Sequence, residues 1–236
     1  MNKKKVLAAA LAVCVVATLS FSTLAWFNAT QSVTNRFLVA STSSGGGGGG
    51  GGIAPSRKFS VDLWEYTGSV PLPTQGSVPE GDKDRDGMQF ERVLPGVAYN
   101  KQPVIENTGE QDQWIRALIT ISGSGVWKQA LPGYDLSGFF NIGSDWTAGG
   151  VLEDAVADTI TYYYYFNEKL GPEERATLFT QVTLPGEELT QENLAGLNGK
   201  FNIDLRADAV QLSAGNTAID AFAAVNWPAS VTVPGA

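Results

Sequence analysis

Histidine is missing from all 236 residues, and cysteine occurs once, at Cys14. Without histidine, His₃ and His₂Glu zinc sites and the Ser-His-Asp triad cannot be assembled. Cys14 lies in the apolar run near the start, so the chain after residue 25 has no thiol nucleophile and no disulfide. A protein exported in that form rests on its hydrophobic core, and about 210 residues are ample for one. Positive charge is scarce too: 16 Lys and Arg stand against 24 Asp and Glu. Lys3, Lys4 and Lys5 account for three of the 16, which leaves a formal charge of −11 beyond residue 25. That balance argues against nucleic acid and against anionic lipid, both of which want Lys and Arg patches. The carboxylates show no pairing pattern, so a hydrolase working through Asp or Glu is a third-ranked reading with no residues assigned.

The one long apolar run, Val6–Phe21, follows Met1-Asn-Lys-Lys-Lys5 and precedes Ser22-Thr23-Leu24-Ala25. It is shorter than the roughly 20 residues that cross a bilayer comfortably. A charged start, an apolar middle and a small-residue end are the parts of a secretory signal peptide. Thr23 and Ala25 fit the −3 and −1 positions, which sets cleavage between Ala25 and Trp26. The expectation is a secreted or cell-surface protein, processed by a signal peptidase and without a stable membrane anchor afterwards.

Ser41–Ser44 and the eight glycines Gly45–Gly52 mark a boundary. Polyglycine has no side chains to bury and the highest entropy cost of ordering, so it reads as a flexible tether. Eight residues reach at most about 28 Å. The expected organisation is a signal peptide over 1–25, a strand-like arm over 26–40, a Ser/Gly-rich linker over 41–57 and one domain over 58–236. The arm carries Val33, Phe37, Leu38 and Val39 and is too short to bury them by itself. It is either donated to a neighbour or folded back on its own domain.

From Phe59 onward the chain reads as strands between turns. Expected strands are Phe59–Tyr66, Met88–Leu94, Asn100–Asn107, Trp114–Ile121, Thr159–Phe166, Leu178–Leu184, Phe201–Leu205 and Ala209–Leu212. Val70–Gly87 reads as a long polar loop. Thr190–Leu197 and Thr217–Trp227 read as short helices. No β-α alternation calls for a parallel sheet. The fold class is all-β with one or two short helices, an antiparallel jelly-roll-like β-sandwich.

Two further patterns invite a site. Asp82, Asp84 and Asp86 before Gly87 have the alternate-carboxylate spacing of a Ca²⁺ loop. The twelfth position of such a loop is Val93 rather than Glu, so the alternative is an acidic surface loop. Tyr162–Tyr165 alternate faces in a strand. Core packing is the favoured reading for them; an outward pair, with Trp64, Trp127 or Trp146, would make an aromatic platform.

Several segments in order resemble the TasA/camelysin family of exported bacterial matrix proteins. They are Thr23–Phe27 with Ser32–Phe37, then Leu94-Pro95-Gly96, Lys101–Gly109 and Trp114-Ile115-Arg116. Tyr162–Tyr164 with Thr177-Leu178-Phe179, and Phe201–Asp204 with Ala207–Gln211, complete the set. The resemblance implies a signal cut by a dedicated SipW-type peptidase, a jelly-roll sandwich and a role in extracellular fibres. It also implies that one subunit's N-terminal strand completes the next subunit's sheet, with partners that are further copies or related matrix subunits. The metalloprotease label of the camelysins is not carried over, because the chain has neither histidine nor an HExxH helix. The expectation is therefore a non-enzymatic filament subunit. A monomeric β-sandwich that binds glycan or a host protein is the alternative.

Overall fold

Alternation dictates the centre of the molecule. Ile115, Ala117, Ile119 and Ile121 project to one side of a strand, and Trp114, Arg116 and Leu118 to the other, and both sets are buried. A strand apolar on both faces needs a layer on each side. The computed structural model describes residues 28–39, 60–73, 76–186, 189, 200–210 and 217–224. Its strands are β1 (Asn28–Val39), β2 (Val61–Tyr66), β3 (Lys83–Asp84), β4 (Gln89–Val93), β5 (Ala98–Asn100) and β6 (Pro103–Asn107). They continue with β7 (Trp114–Ser122), β8 (Trp146–Asp154), β9 (Thr159–Phe166), β10 (Arg175–Thr177), β11 (Gln181–Thr183) and β12 (Lys200–Val210). Helix α1 spans Ser124–Ala130 and α2 spans Ala218–Ala224.

A six-stranded sheet runs β4-β1-β12-β7-β9-β8, a four-stranded sheet β10-β6-β2-β3, and a ribbon β11-β5. All pairings are antiparallel except β1 with β4. The fold is therefore mostly antiparallel β, sandwich-like, as the sequence leads one to expect. Between the sheets, Ile119, Leu205 and Tyr162 meet Val61, Leu63, Ile105 and Ala176 in one core. On the far side of the large sheet, Trp114, Leu118, Tyr163 and Tyr165 are roofed by Ala218, Ala221 and Phe222 of α2. Outside the smaller sheet, Trp64, Tyr66 and Val104 are covered by Val78 and Leu72 from the loop after β2.

Polar side chains hold these layers in register. Asn107 Nδ2 donates to the carbonyls of Gln111 and Leu170 at 2.8 Å each, and its Oδ1 accepts from Gln113 Nε2 and the Gly109 amide. A β-carbon at Gly109 would lie 2.7 Å from Gln113 Nε2 and 3.1 Å from the Ser60 nitrogen, so any larger residue there must displace the buried Gln113 amide. Glu106 accepts from Trp64, Lys83 and Arg175, which clamps the loop over Trp64. Lys101, Asn107, Gly109 and Arg116, on which much of the family resemblance rests, are thus interior groups or their direct neighbours.

Some expected elements differ. Phe201–Leu205 and the start of the expected Ala209–Leu212 strand belong to one strand, β12, which runs to Val210 through the intervening Arg206 and Asp208; residues 211 and 212 lie outside the described residues. These polar residues face α2, where Arg116 and Arg206 neutralise Asp208. Leu178–Leu184 is strand only at its end; β10 precedes it and Phe179 fills the core. Helix α1 and strand β8 had no counterpart in the sequence reading. Gly123 offers no side-chain cap, and Asp158 caps α1 from 33 to 34 positions away, through Gly125 N at 2.8 Å and Ser124 Oγ at 3.2 Å. In β8, Gly149 lowers strand propensity, yet a β-carbon there would stand 2.0 Å from Tyr165 Cε2. Of the two expected helices, the second is α2, opened by Thr217 Oγ1 accepting from the Asp220 amide. Residues 190–197 lie outside the described residues.

Candidate assembly interface

The arm is built into the sheet. Strand β1 runs antiparallel to β12 through eleven consecutive pairs, from Asn28 opposite Val210 to Leu38 opposite Lys200. Its other edge runs parallel to β4, with Arg36 opposite Gln89, Phe37 opposite Phe90 and, after a register shift, Val39 opposite Val93. Within the large sheet β4 has β1 as its neighbour, so the arm is what joins β4 to the sheet. Remove β1 and a slot is left whose walls are β4 and β12, both from the body of the chain. Val33 stands opposite Leu205 and Phe37 opposite Phe201, two residues buried in the inter-sheet core. The slot therefore has a long hydrogen-bonding edge and an apolar floor, the two requirements for accepting an extended segment. Of the two alternatives for the arm, the single chain adopts the folded-back one.

Asp82, Asp84 and Asp86 are not gathered around one point. Asp84 Oδ1 accepts from the amides of Asp86 at 2.9 Å and Gly87 at 3.2 Å, closing a turn. The interleaved cations serve neighbouring carboxylates: Lys83 binds Glu106 at 3.0 Å, and Arg85 binds Asp62 at 2.6 Å and Glu80 at 2.8 Å. Among the described residues no three acidic, histidine or cysteine side chains converge as a metal would require. Ala25 and Trp26, where cleavage is expected, lie outside the described residues, as do all of residues 1–27. No helix among the described residues is long and apolar enough to cross a membrane.

The tyrosine run is packed on both faces. Tyr162 and Tyr164 belong to the inter-sheet core, Tyr163 and Tyr165 to the layer under α2. Trp64, Trp127 and Trp146 are buried as well. The outward aromatic pair considered for a platform is absent there because α2, which its sequence signals only weakly, covers that face.

A cleft of about 380 Å³ opens where α1 and the turn Leu136–Phe139 meet the β8–β9 edge. Asp135, Ser137, Tyr162 and Tyr164 line its polar side, and the Lys128–Glu153 ion pair stands at its margin. Burial and the Asp135 carboxylate push the Tyr162 phenol well above its ordinary range, and burial pushes Tyr164 up to about 12. Burial works against the Asp135 charge, but donors from Ser137 and Tyr162 outweigh it and hold the carboxyl below its ordinary value. These phenols stay neutral and this carboxylate stays ionised at physiological pH, an arrangement suited to hydrogen bonding. Sequence reasoning missed the cleft because α1 and β8 build half of it.

Comparison of the chain with protein-family models, curated proteins and solved structures gives no significant match.

Proposed function

We propose that this chain is an exported structural subunit, not an enzyme, that assembles with copies of itself or related matrix subunits into extracellular or cell-surface filaments. Each copy donates residues 28–39 to the slot between β4 and β12 of the next. The observation that carries this reading is the place of β1: an interior strand joined to its domain through a segment containing eight consecutive glycines. An arm from a second copy would find the same slot and make the same backbone bonds, so self-filled monomer and polymer differ mainly in whose arm is used. Exchange of an identical element is a low-cost route to assembly. Because the arm of one copy fills the slot of another, the contact is head-to-tail and generates an open filament unless the rotation closes a ring.

Deletion of residues 26–40 tests the reading by electron microscopy of the exported protein. Filaments should be lost, and a synthetic peptide of residues 26–40 should restore a compact monomer to the truncated chain. Filaments of normal yield from the truncation would sink the proposal.

The cleft beside β8 favours a second reading, a monomeric surface sandwich that binds a glycan or a host protein there. A monodisperse monomer at high concentration, with no filaments under any condition that keeps the fold, would favour it over assembly.

A further inference from the structure

Strand β2 sends Val61, Leu63 and Glu65 to the same side, and Val61 and Leu63 lie in the core between the sheets. Glu65 therefore points into the sandwich, and its side chain is fully buried. Residue 103 of β6 is its cross-strand partner, so residue 101, two positions earlier, shares that face. The Lys101 side chain is fully buried too, and its ammonium contacts Glu65 Oε1. The partner of residue 65 on the other flank is Asp84 of β3, on the same face, and its carboxylate acts electrostatically on Lys101. The Asp86 and Gly87 amides fix that carboxylate through Oδ1. An amine and a carboxyl carbon thus meet inside a β-sandwich, and a half-buried second carboxylate stands on the neighbouring strand at the same register.

Two buried charges are costly to keep, and an amide between them removes both. Burial lowers the Lys101 ammonium to about 8 even beside Glu65, which supplies free amine near neutrality. The chain after residue 25 has no cysteine with which to staple itself.

We propose that Lys101 and Glu65 condense into an intramolecular isopeptide bond, with Asp84 as proton carrier. A proton passes from the Lys101 ammonium to the Glu65 carboxylate. Nζ then attacks Cδ; the Nζ–Cδ bond forms and one Cδ–Oε bond breaks. Asp84 takes the proton released by nitrogen and returns it to the departing hydroxyl, so one water leaves and Asp84 ends as it began. No oxidant, metal or cofactor enters the balance. The product is a covalent loop from residue 65 to residue 101, closed across the interior.

The full chain, purified from an exporting host and with its N-terminus determined, decides the matter by mass spectrometry. The intact mass should fall short of the sequence mass by one water. Tryptic digestion should leave Lys101 uncut and yield a branched peptide joining Glu65 to Lys101. A succinimide at Asp86-Gly87 would lose the same mass, so tandem spectra must place the loss at residues 65 and 101. Linear peptides carrying unmodified Glu65 and Lys101 in full yield, from protein held folded at pH 6 to 9, would overturn the proposal. Lys101→Arg keeps the charge and should have the full sequence mass with a lower Tm. Asp84→Ala, if folded by circular dichroism, should form the bond more slowly; formation at the parent rate would remove Asp84 from the step. Should either variant fail to fold, the parent peptide map still decides.

Discussion

Arg116 and Asp208, 92 positions apart in sequence, meet at 2.5 Å beneath α2, both essentially inaccessible to water. Strands β7 and β12 place them directly opposite each other. Arg116 also lies over the Phe222 ring at 4.7 Å and the Tyr163 ring at 5.6 Å, and Arg206 contributes a second donor to Asp208 at 2.7 Å. A charge of each sign is thereby kept under the helix without exposure.

Removing one partner strands the other. Arg116→Met should destabilise the fold by up to about 3–5 kcal/mol, since the fully buried Asp208 carboxylate then keeps only the partly exposed Arg206 as a cation. The double variant Arg116→Met/Asp208→Leu should recover much of that loss. Urea unfolding of the three proteins reads this; a double variant as unstable as the sum of both single changes would contradict it.

Glycine 149 tests the packing of the same layer. A side chain there meets the Tyr165 ring, which Phe222 holds at 5.8 Å between centroids. Gly149→Val should cost about 1–3 kcal/mol by overpacking despite its higher strand propensity. Thermal unfolding would show it as a lower Tm.

The clamp at Glu106 carries a pH dependence. Burial alone would raise its pKa, but Lys83 and Arg175 outweigh burial and hold the carboxyl below its ordinary 4.5. A lowered folded-state pKa gives stability that is complete above the unfolded value and is lost as pH falls through the folded one. The Tm difference between the parent and Glu106→Gln should therefore be clear at pH 7 and shrink toward pH 3. Limited proteolysis should find the 70–87 segment opened more readily in the acidified parent, because the Lys83–Glu106 pair is one of its links to the sheet.

Locking the arm separates folding from assembly. Thr34 and Asp204 are cross-strand partners of β1 and β12, near enough for an introduced disulfide. Thr34→Cys/Asp204→Cys should be a folded monomer when oxidised and should form filaments after reduction. Filament formation equal in both states would separate assembly from arm release.

Much of the sandwich was legible because strands announce themselves locally. Trp114–Ser122 and Thr159–Phe166 have β-branched and aromatic runs that few other elements would accept. What escaped depended on distant partners. Asp158 caps α1 across a hairpin, and Tyr165 makes a glycine serviceable in β8. The ionic groups of the interior were equally hidden, since nothing local distinguishes Glu65 or Asp208 from a solvated carboxylate. For the arm, composition showed a strand, whereas its partner was undetermined: backbone pairing carries almost no sequence information over such a distance.

That distance has a kinetic meaning. Asn28 pairs with Val210, so the first described strand cannot close until nearly the last has been made. Contacts of high sequence separation form slowly. A chain that appears N-terminus first therefore passes through an interval in which its opening strand is present and its own β12 is not. Under the proposed assembly, the nearest finished β12 during that interval would belong to a neighbouring molecule, so the order in which the chain appears would itself bias the choice between closing alone and joining a filament.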